Sequence, residues 1–250
     1  MKEDKIAVLI DADNVPYANI KEMLDEVTKY GNPTIKRIYA DWTKPTVSGW
    51  KGVLLENAIT PIQQYSYTSG KNSSDSALII DAMDLLYSNK VNGFCIISSD
   101  SDFTRLATRL REAGMLVIGM GERKTPQPFI TACDKFVYIE ILKSGSNYIR
   151  HNKRIKETDQ KGDSSASDLN DKSSIIKVIK ASIDEISDDD GWAYLGELGN
   201  FILKKQTDFD PRNYGYQKLY PLLQSISSLE FEERHAADNK VKSVYVRNES

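Results

Sequence analysis

Cysteine, histidine and long apolar runs are all scarce in this chain, and each scarcity excludes a class of protein. Of 250 residues, two are cysteine and two are histidine, too few for a disulfide framework or a four-thiolate zinc site. Cys95 and Cys133 lie in apolar segments and are predicted to pack in the core. No apolar run approaches the ~20 residues that cross a bilayer, and the N-terminus lacks a secretory apolar core. We expect a cytoplasmic protein with no membrane association.

An excess of basic charge is also lacking. The net charge is −3 and the isoelectric point is near 5.6, so bulk electrostatics does not favour tight binding of nucleic acid. The two histidines, His151 and His235, both fall outside the first 140 residues, which argues against histidine-based and Ser-His-Asp mechanisms in that part. A hydrolase that uses bound metal ions remains compatible with this composition, because the ions supply positive charge at a phosphate.

Residues 1–146 alternate strand-like and helix-like segments. Lys5–Ile10 and Gly93–Ser98 are continuous apolar runs, as in buried parallel strands. Ser74–Asn89 carries apolar residues at helical spacing, and Phe136–Ile141 is predicted as a last strand. Repeated βα units predict an α/β domain with a mostly parallel sheet and helices on both faces.

The rest of the chain differs in composition. Residues 147–172 are dominated by Lys, Asp, Ser and Gln and are predicted to form a flexible linker. Residues 173–250 show three helical segments, the third at Tyr214–Gln224, followed by a hairpin. Three helices and a hairpin in so short a stretch are typical of a winged-helix domain.

Acidic residues mark the ends of the predicted strands. Asp11 follows the first strand, Asp100 and Asp102 follow the Gly93 strand, and Asp75 opens the long helix. Ligands of open parallel sheets collect at the carboxyl ends of the strands, and several carboxylates in one crevice repel one another unless a cation neutralises them. Oxygen ligands select hard cations, so the pattern indicates a Mg²⁺ or Mn²⁺ site.

Structural roles remain open for these polar residues taken one at a time. Asp75 is able to sit in the first turn of its helix as a cap, and Asp102 or Ser101 is able to cap the helix that begins at Phe103. Ser98 or Ser99 is able to donate either to a phosphate or to the local backbone.

Three segments together resemble a known family. They are Leu9-Ile10-Asp11-Ala12-Asp13-Asn14, Lys71-Asn72-Ser73-Ser74-Asp75 and Ile97-Ser98-Ser99-Asp100-Ser101-Asp102-Phe103. They resemble the motifs of the NYN family of PIN-like ribonucleases: a strand ending in D-x-x-N, a K-x-x-D before a helix, and S-x-D-x-D-F. The second segment has one more residue between Lys71 and Asp75 than that pattern. The resemblance spans about residues 5–142.

The resemblance implies a Mg²⁺- or Mn²⁺-dependent endonuclease that hydrolyses single-stranded RNA on a PIN/Rossmann-like fold. The residues that match the family's metal-binding and catalytic positions are Asp11, Asp75, Asp100 and Asp102, with Asn14 placing a water molecule or a phosphate oxygen. Our substrate-binding candidates in this domain are Lys71, Ser98, Ser99 and Trp50. Trp50 is included because aromatic and basic residues interleave around it, which suits unpaired bases, although core packing is its alternative.

A second resemblance covers about residues 173–248. Leu195–Ile202 and Phe209–Leu219, the latter with an R-x-Y-G-x-x-K-L pattern, are similar to the OST-HTH/LOTUS domain. This implies a winged helix that binds RNA or docks a protein partner. Arg212, Tyr214 and Lys218 are the candidate RNA contacts, and core packing is the alternative for Tyr214.

Two other functions stay open at this point. Acidic crevices at sheet ends also serve metal-dependent phosphohydrolases that act on small phosphorylated molecules, although the D-x-D-x-T/V nucleophile pattern is missing here. A non-catalytic RNA-binding scaffold is the second alternative.

Overall fold

The computed structural model describes residues 4–65, 73–142, 166–235 and 242–249, in two compact units, residues 1–152 and 153–250. The strands of the first unit are β1 (Lys5–Asp11), β2 (Asn32–Ala40), β3 (Thr60–Gln63), β4 (Gly93–Ile97), β5 (Leu116–Gly121) and β6 (Lys135–Tyr138). Its helices are α1 (Ile20–Val27), α2 (Trp50–Glu56), α3 (Ser73–Tyr87), α4 (Thr104–Glu112), α5 (Gln127–Ala132) and α6 (Ile139–Leu142). No described helix of the chain is both long and apolar enough to cross a bilayer.

The six strands form one sheet in the order β3-β2-β1-β4-β5-β6, and every neighbouring pair is parallel. This confirms the predicted α/β class. The chain runs outward from β1 through β2 and β3, then returns to β4 on the other side of β1. The strand order therefore reverses between β1 and β4, and their carboxyl ends flank the crevice where such sheets bind ligands.

Side chains of β1 alternate between two cores, one on each face of the sheet. Ile6, Val8 and Ile10 join the cluster that contains residues of α1, α2 and α6, whereas Ala7 and Leu9 join the cluster under α3, α4 and α5. A strand that is buried on both faces has to be apolar throughout, which explains its continuous apolar run. The helices on both faces confirm the layered arrangement expected from the sequence.

Both native cysteines are buried, as predicted. Cys95 in β4 and Cys133 after α5 are each 0 % exposed. Burial raises the pKa of both thiols above the ordinary value, because the charged thiolate is poorly solvated there.

A polar contact fixes α3 along the sheet. The Asp81 carboxylate on α3 accepts hydrogen bonds from the Arg37 guanidinium and from the Tyr39 hydroxyl, both on β2. Tyr39 is fully buried, so its hydroxyl depends on this partner. The contact sets how far the first turn of α3, which carries Asp75, reaches towards the carboxyl edge of the sheet.

One local prediction in the first unit was wrong, and one helix was missed. The strand predicted for Phe136–Ile141 ends at Tyr138, and α6 follows directly, because a short apolar run does not separate a strand from a buried helical turn. Helix α5 was not predicted at all. It begins after Pro126 with a proline in its first turn, a position that suits proline because its missing N–H is not needed there.

Gly119 in β5 has no room for a side chain. A Cβ at this position would lie 2.6 Å from Phe136 Cδ2 and 2.7 Å from Cys133 Sγ. Gly119→Ala is therefore expected to lower the free energy of unfolding by about 1–3 kcal/mol, as overpacked cores do, and thermal denaturation measures this. Gly52→Ala on α2 is the matched control, since nothing lies within 4 Å of its Cβ, and it is expected to leave stability unchanged or slightly raised. A Tm for Gly119→Ala equal to that of the wild type contradicts the prediction.

The second unit combines helices with a small antiparallel sheet of order β7-β9-β8. Its elements are α7 (Ala166–Ile186), β7 (Ala193–Tyr194), α8 (Leu195–Lys205), α9 (Leu219–Gln224), β8 (Leu229–His235) and β9 (Lys242–Asn248). This agrees with the predicted small domain of helices and a hairpin. The linker predicted for residues 147–172 lies largely outside the described residues, and its last part, from Ala166, is helical.

The third predicted helix of this unit, Tyr214–Gln224, is shorter than expected. A 3₁₀ turn at Pro211–Tyr214 precedes it, and α9 begins only at Leu219. Gly215 between them has φ of 88°, a left-handed conformation that ends helical structure and favours glycine.

Candidate metal centre

Asp11 ends β1 in a buried network of hydrogen bonds. Its side chain is 1 % exposed, and Oδ2 accepts from Ser98 Oγ at 2.8 Å and from Asn14 Nδ2 at 2.7 Å. Oδ1 accepts a longer bond, 3.3 Å, from the Asp13 amide. Burial raises the pKa of Asp11, and the hydrogen bonds from Asn14 and Ser98 oppose this rise. The carboxylate is thus held in one orientation at the edge of the sheet.

The turn after β4 brings two further carboxylates to the same edge. Ser98 Oγ accepts from the Asp100 amide at 3.1 Å, and Asp100 Oδ1 accepts from the Asp102 amide at 2.9 Å. Asp100 therefore caps the 3₁₀ turn Ser101–Phe103, so the capping role that the sequence left open for Asp102 or Ser101 belongs to Asp100. The cap position fits because the Asp100 backbone is extended where the chain leaves the strand.

Asp75 from α3 meets these two aspartates. One carboxylate oxygen from each of Asp75, Asp100 and Asp102 lies within 4.8 Å of the others. Asp75 is 7 % exposed, and its pKa is raised to about 6, first by burial and then by the negative charges of Asp11, Asp100 and Asp102. Among these carboxylates Asp11 contributes most to that shift after burial, so it belongs to the same electrostatic cluster although its oxygens lie outside the group of three.

This donor set suits a hard divalent cation. All donors are carboxylate oxygens, which Mg²⁺ and Mn²⁺ prefer, and oxygens that share an ion at about 2.0–2.6 Å lie within roughly 5 Å of one another. Across the described stretches of the chain, Asp75, Asp100 and Asp102 form the one group of three or more potential ligands with this spacing. A cation here would relieve the repulsion that raises the pKa of Asp75.

The remaining predicted residues of this domain occupy supporting positions. Asn14 donates to Asp11 rather than pointing its amide into open space. Ser98 joins Asp11 to the Asp100 backbone, and Ser99 Oγ accepts from the Glu122 amide at 2.9 Å. The serine hydroxyls therefore have local protein partners, which is the alternative that the sequence left open. Lys71 lies outside the described residues.

The structure contradicts the substrate-binding role expected for Trp50. Its side chain is 2 % exposed and packs in the core, with the Tyr17 ring at a centroid distance of 6.3 Å. A ring that is buried in this way has no face on which a base can stack. The alternative of core packing is the correct one.

Asp41 is a buried acid at the same edge that the sequence analysis missed. It follows β2 directly and is 8 % exposed. Its Oδ1 accepts from Thr43 Oγ1 at 2.6 Å and from Gln63 Nε2 at 3.1 Å. The signal was present, because an aspartate directly after a strand also identified Asp11. Asp41 holds the turn that directly follows β2, connects it to the last residue of β3 through Gln63, and is not one of the three clustered ligands.

Two of the three candidates in the second unit have structural partners. Arg212 Nε and a terminal guanidinium nitrogen lie 2.9 and 2.7 Å from the two carboxylate oxygens of Asp210, which is buried. The Tyr214 ring packs 6.2 Å from the Phe209 ring and contacts the core, as its alternative predicted. Lys218 is exposed, so it is the candidate whose charge is most accessible to a ligand.

A stack of rings and guanidinium groups on the second unit was also missed. Arg234 Cζ lies 4.2 Å from the Tyr245 ring centroid and 5.6 Å from that of Trp192, and Arg247 Cζ lies 4.6 Å from Trp192. Both arginines also pair with glutamates of β8, so the local charge is balanced. These residues are scattered along the sequence and meet only through strand pairing, which is why no motif revealed them.

Comparison with known proteins agrees with this geometry. A family model for the NYN domain matches residues 5–140, and one for the OST-HTH/LOTUS domain matches residues 170–241. Both domains therefore occur in the predicted order. No protein of curated function matches the chain significantly.

Two solved structures resemble parts of the chain. A crystal structure of a protein of unknown function from Vibrio parahaemolyticus is 22 % identical, with a TM-score of 0.46, and covers 56 % of this chain and 96 % of its own. A solution NMR structure of an uncharacterized protein from Nitrosomonas europaea is 40 % identical, with a TM-score of 0.28, and covers 30 % of this chain and 71 % of its own.

NYN domains are part of the PIN-like nuclease superfamily, whose members usually use divalent metals, and the acidic cluster lies within the matched segment. Together the two domains support a nuclease-related role that involves RNA. The NYN model covers more than half of the residues, so the chain belongs to the NYN-domain family and carries an OST-HTH/LOTUS domain after its NYN domain.

Proposed function

We propose that this protein is a ribonuclease that needs Mg²⁺ or Mn²⁺ and cuts single-stranded RNA internally. The observation that carries the proposal is the convergence of Asp75, Asp100 and Asp102 within 4.8 Å at the carboxyl edge of the NYN sheet. Such a cluster is electrostatically unfavourable unless a cation occupies it, and a hydrolase of phosphodiesters uses that cation.

The residues of the cluster share the binding of the ion in this proposal. Asp75, Asp100 and Asp102 hold the ion, and Asp11 completes the site from β1 through Oδ1, whose protein hydrogen bond is the longer one. When bound, the ion polarises the scissile phosphate and offsets the charge that develops on it. Asn14 keeps the Asp11 carboxylate in place through its hydrogen bond to Oδ2.

Ser98 is the residue that couples the two sides of the site. Its hydroxyl donates to Asp11 and accepts from the Asp100 amide, so one fully buried oxygen sets the positions of both aspartates. The ligands are then arranged before substrate arrives, which is the condition for efficient electrostatic catalysis.

The second unit recruits RNA, or a protein that carries RNA, to the nuclease. The OST-HTH/LOTUS match supports this role. Arg234 and Arg247 are already paired with glutamates of β8, which agrees with a contact that does not depend on charge alone. We favour RNA as the ligand because the NYN domain acts on the same class of molecule in this proposal.

A cleavage assay tests the proposal directly. A closed circular single-stranded RNA and its linear form are incubated with the full chain in Mg²⁺, Mn²⁺ or EDTA. Cutting of the circle in either metal, and none in EDTA, is the expected result, because a circle offers no end to an exonuclease. RNA binding without cleavage in any metal overturns the enzyme and leaves a scaffold. Phosphate release from nucleotides with intact RNA points instead to a small-molecule phosphohydrolase.

A further inference from the structure

The turn that follows β5 is hydrogen-bonded to the segment that carries Asp100. It comprises residues Glu122–Thr125, and the Glu122 amide donates to Ser99 Oγ at 2.9 Å. Ser99 is the neighbour of Asp100 in the chain, so one hydrogen bond connects this turn to a proposed metal ligand. The turn belongs to none of the three segments that resemble NYN motifs, and its side chains have no part in the site described above.

Several contacts hold the turn in one conformation. The Thr125 hydroxyl and amide both donate to the Glu122 carbonyl, at 2.6 and 2.9 Å, and the Arg123 amide donates to Glu140 Oε1 at 2.9 Å. Gly121 fits closely beneath it, because a Cβ there would lie 2.6 Å from the Ser98 carbonyl oxygen. The backbone of the turn is therefore well defined while its outer side chains reach solvent.

Those outer side chains are basic. Arg123 and Lys124 are both exposed, and the Arg123 guanidinium lies over the Tyr138 ring, 5.4 Å from its centroid. Lys124 Nζ lies 2.6 Å from Glu122 Oε2, but the Lys124 side chain is 68 % exposed. An ion pair this exposed is weak, so an RNA phosphate is able to replace the glutamate as the partner of the lysine.

A polyanionic substrate needs positive charge at this place. The chain has a net charge of −3, and a single ion in the acidic cluster serves only one phosphate. Phosphates on either side of the scissile bond are most readily held by Lys and Arg, which position the strand without reading its sequence. Guanidinium and ammonium groups on a rigid turn meet this need, because the backbone that carries them does not have to be ordered on binding.

We propose that Arg123 and Lys124 form a phosphate-binding subsite that holds the RNA backbone next to the scissile phosphate. This inference rests on the proposed ribonuclease function and adds to it the part of the surface that the substrate strand follows. The subsite explains why the Glu122–Thr125 turn is tied so closely to the cluster.

Binding and kinetics of a double variant, Arg123→Ala with Lys124→Ala, test the subsite. The affinity for a labelled single-stranded 12-mer in EDTA is expected to fall about tenfold, and the slope of log Kd against log salt to decrease by about 1.4 for two lost contacts. In Mg²⁺ or Mn²⁺, KM is expected to rise while kcat changes less than twofold. A dinucleotide, which has a single internucleotide phosphate, is expected to inhibit the wild type and the double variant equally.

The matched control is Lys5→Ala with Lys90→Ala, which removes the same charge from exposed residues at the amino edge of the sheet. It is expected to change Kd less than twofold. Replacing the charges conservatively, as Arg123→Lys with Lys124→Arg, is expected to restore the salt slope.

An unchanged Kd and salt slope in the alanine variant, with a wild type that cleaves RNA, overturns the subsite alone. A wild type that neither binds nor cuts RNA overturns the ribonuclease itself.

Discussion

Asp100→Asn is expected to lower the rate of metal-dependent RNA cleavage by about 10³-fold while the protein stays folded. The substitution removes one negative charge from the three clustered carboxylates, and charged groups that act on the transition state are worth on the order of 10²–10³ in rate. Asparagine retains an oxygen that accepts from the Asp102 amide, a bond of 2.9 Å in the native turn. The 3₁₀ turn therefore keeps its cap, and the lower cleavage rate reflects the missing charge at the site rather than unfolding.

Initial cleavage rates at saturating Mn²⁺, together with circular dichroism, measure this effect. Asp84→Asn is the matched control, because Asp84 is an exposed carboxylate on α3 that is not part of the cluster. It is expected to cleave at the wild-type rate. An active Asp100→Asn protein, or an equal loss in the control, contradicts the assignment of Asp100.

Asp75→Asn is expected to stabilise the metal-free protein at pH 8 although it disables the site. The pKa of Asp75 is about 6 in the folded state, against 3.8 ordinarily, so its charge is unfavourable in the native structure. Because the side chain is 7 % exposed, little solvent screens this penalty, and we expect a gain on the order of 2 kcal/mol. The variant should also lose the rise in Tm that Mn²⁺ produces in the wild type.

The raised pKa of Asp75 also fixes how the stability difference between variant and wild type changes with pH. An acid whose folded pKa is raised holds its proton more tightly when folded, so the penalty is absent below pH 3.8, grows up to about pH 6, and is complete above it. Asparagine is neutral throughout this range. The difference in Tm between variant and wild type should therefore be largest above pH 6 and disappear near pH 4. Asp84→Asn, on the same helix, should show neither the stabilisation nor its pH dependence. A metal-free Asp75→Asn protein that is less stable than wild type at pH 8 contradicts the prediction that the Asp75 charge destabilises the fold.

The sequence predicted the sheet because its central strands are buried on both faces. Ile6–Ile10 and Phe94–Ile97 are apolar at every position, which distinguishes them from half-exposed strands. The aspartates at the ends of those strands were identifiable as site candidates, but position alone does not decide their role, because Asp41 also follows a strand and bonds to Thr43 and Gln63 instead. What failed was the last apolar run, where β6 passes into α6 at Ile139 without any change in polarity.

Which side chains contact one another in the folded chain was not predictable in the same way. That the Ser98 hydroxyl joins Asp11 to Asp100 depends on β1 and β4 being neighbours, which a strand order must supply. Trp50 was misread because an aromatic residue near basic ones has the same local pattern whether it faces solvent or the core. The side of α2 that is buried is decided by the packing of the whole layer.

The burial of the two native cysteines has a practical consequence for labelling. Cys95 and Cys133 are the only thiols of the chain and are 0 % exposed, and a thiol that is buried and protonated reacts slowly with maleimides. A cysteine introduced as Lys90→Cys, in the exposed connection that leads into β4 at the amino edge, would then be the one readily alkylated group. A fluorophore or a surface tether attached there would leave the carboxyl edge of the sheet, with the acidic cluster, facing the solution. RNA binding could then be observed on single molecules held in one orientation, with both native cysteines of the core retained.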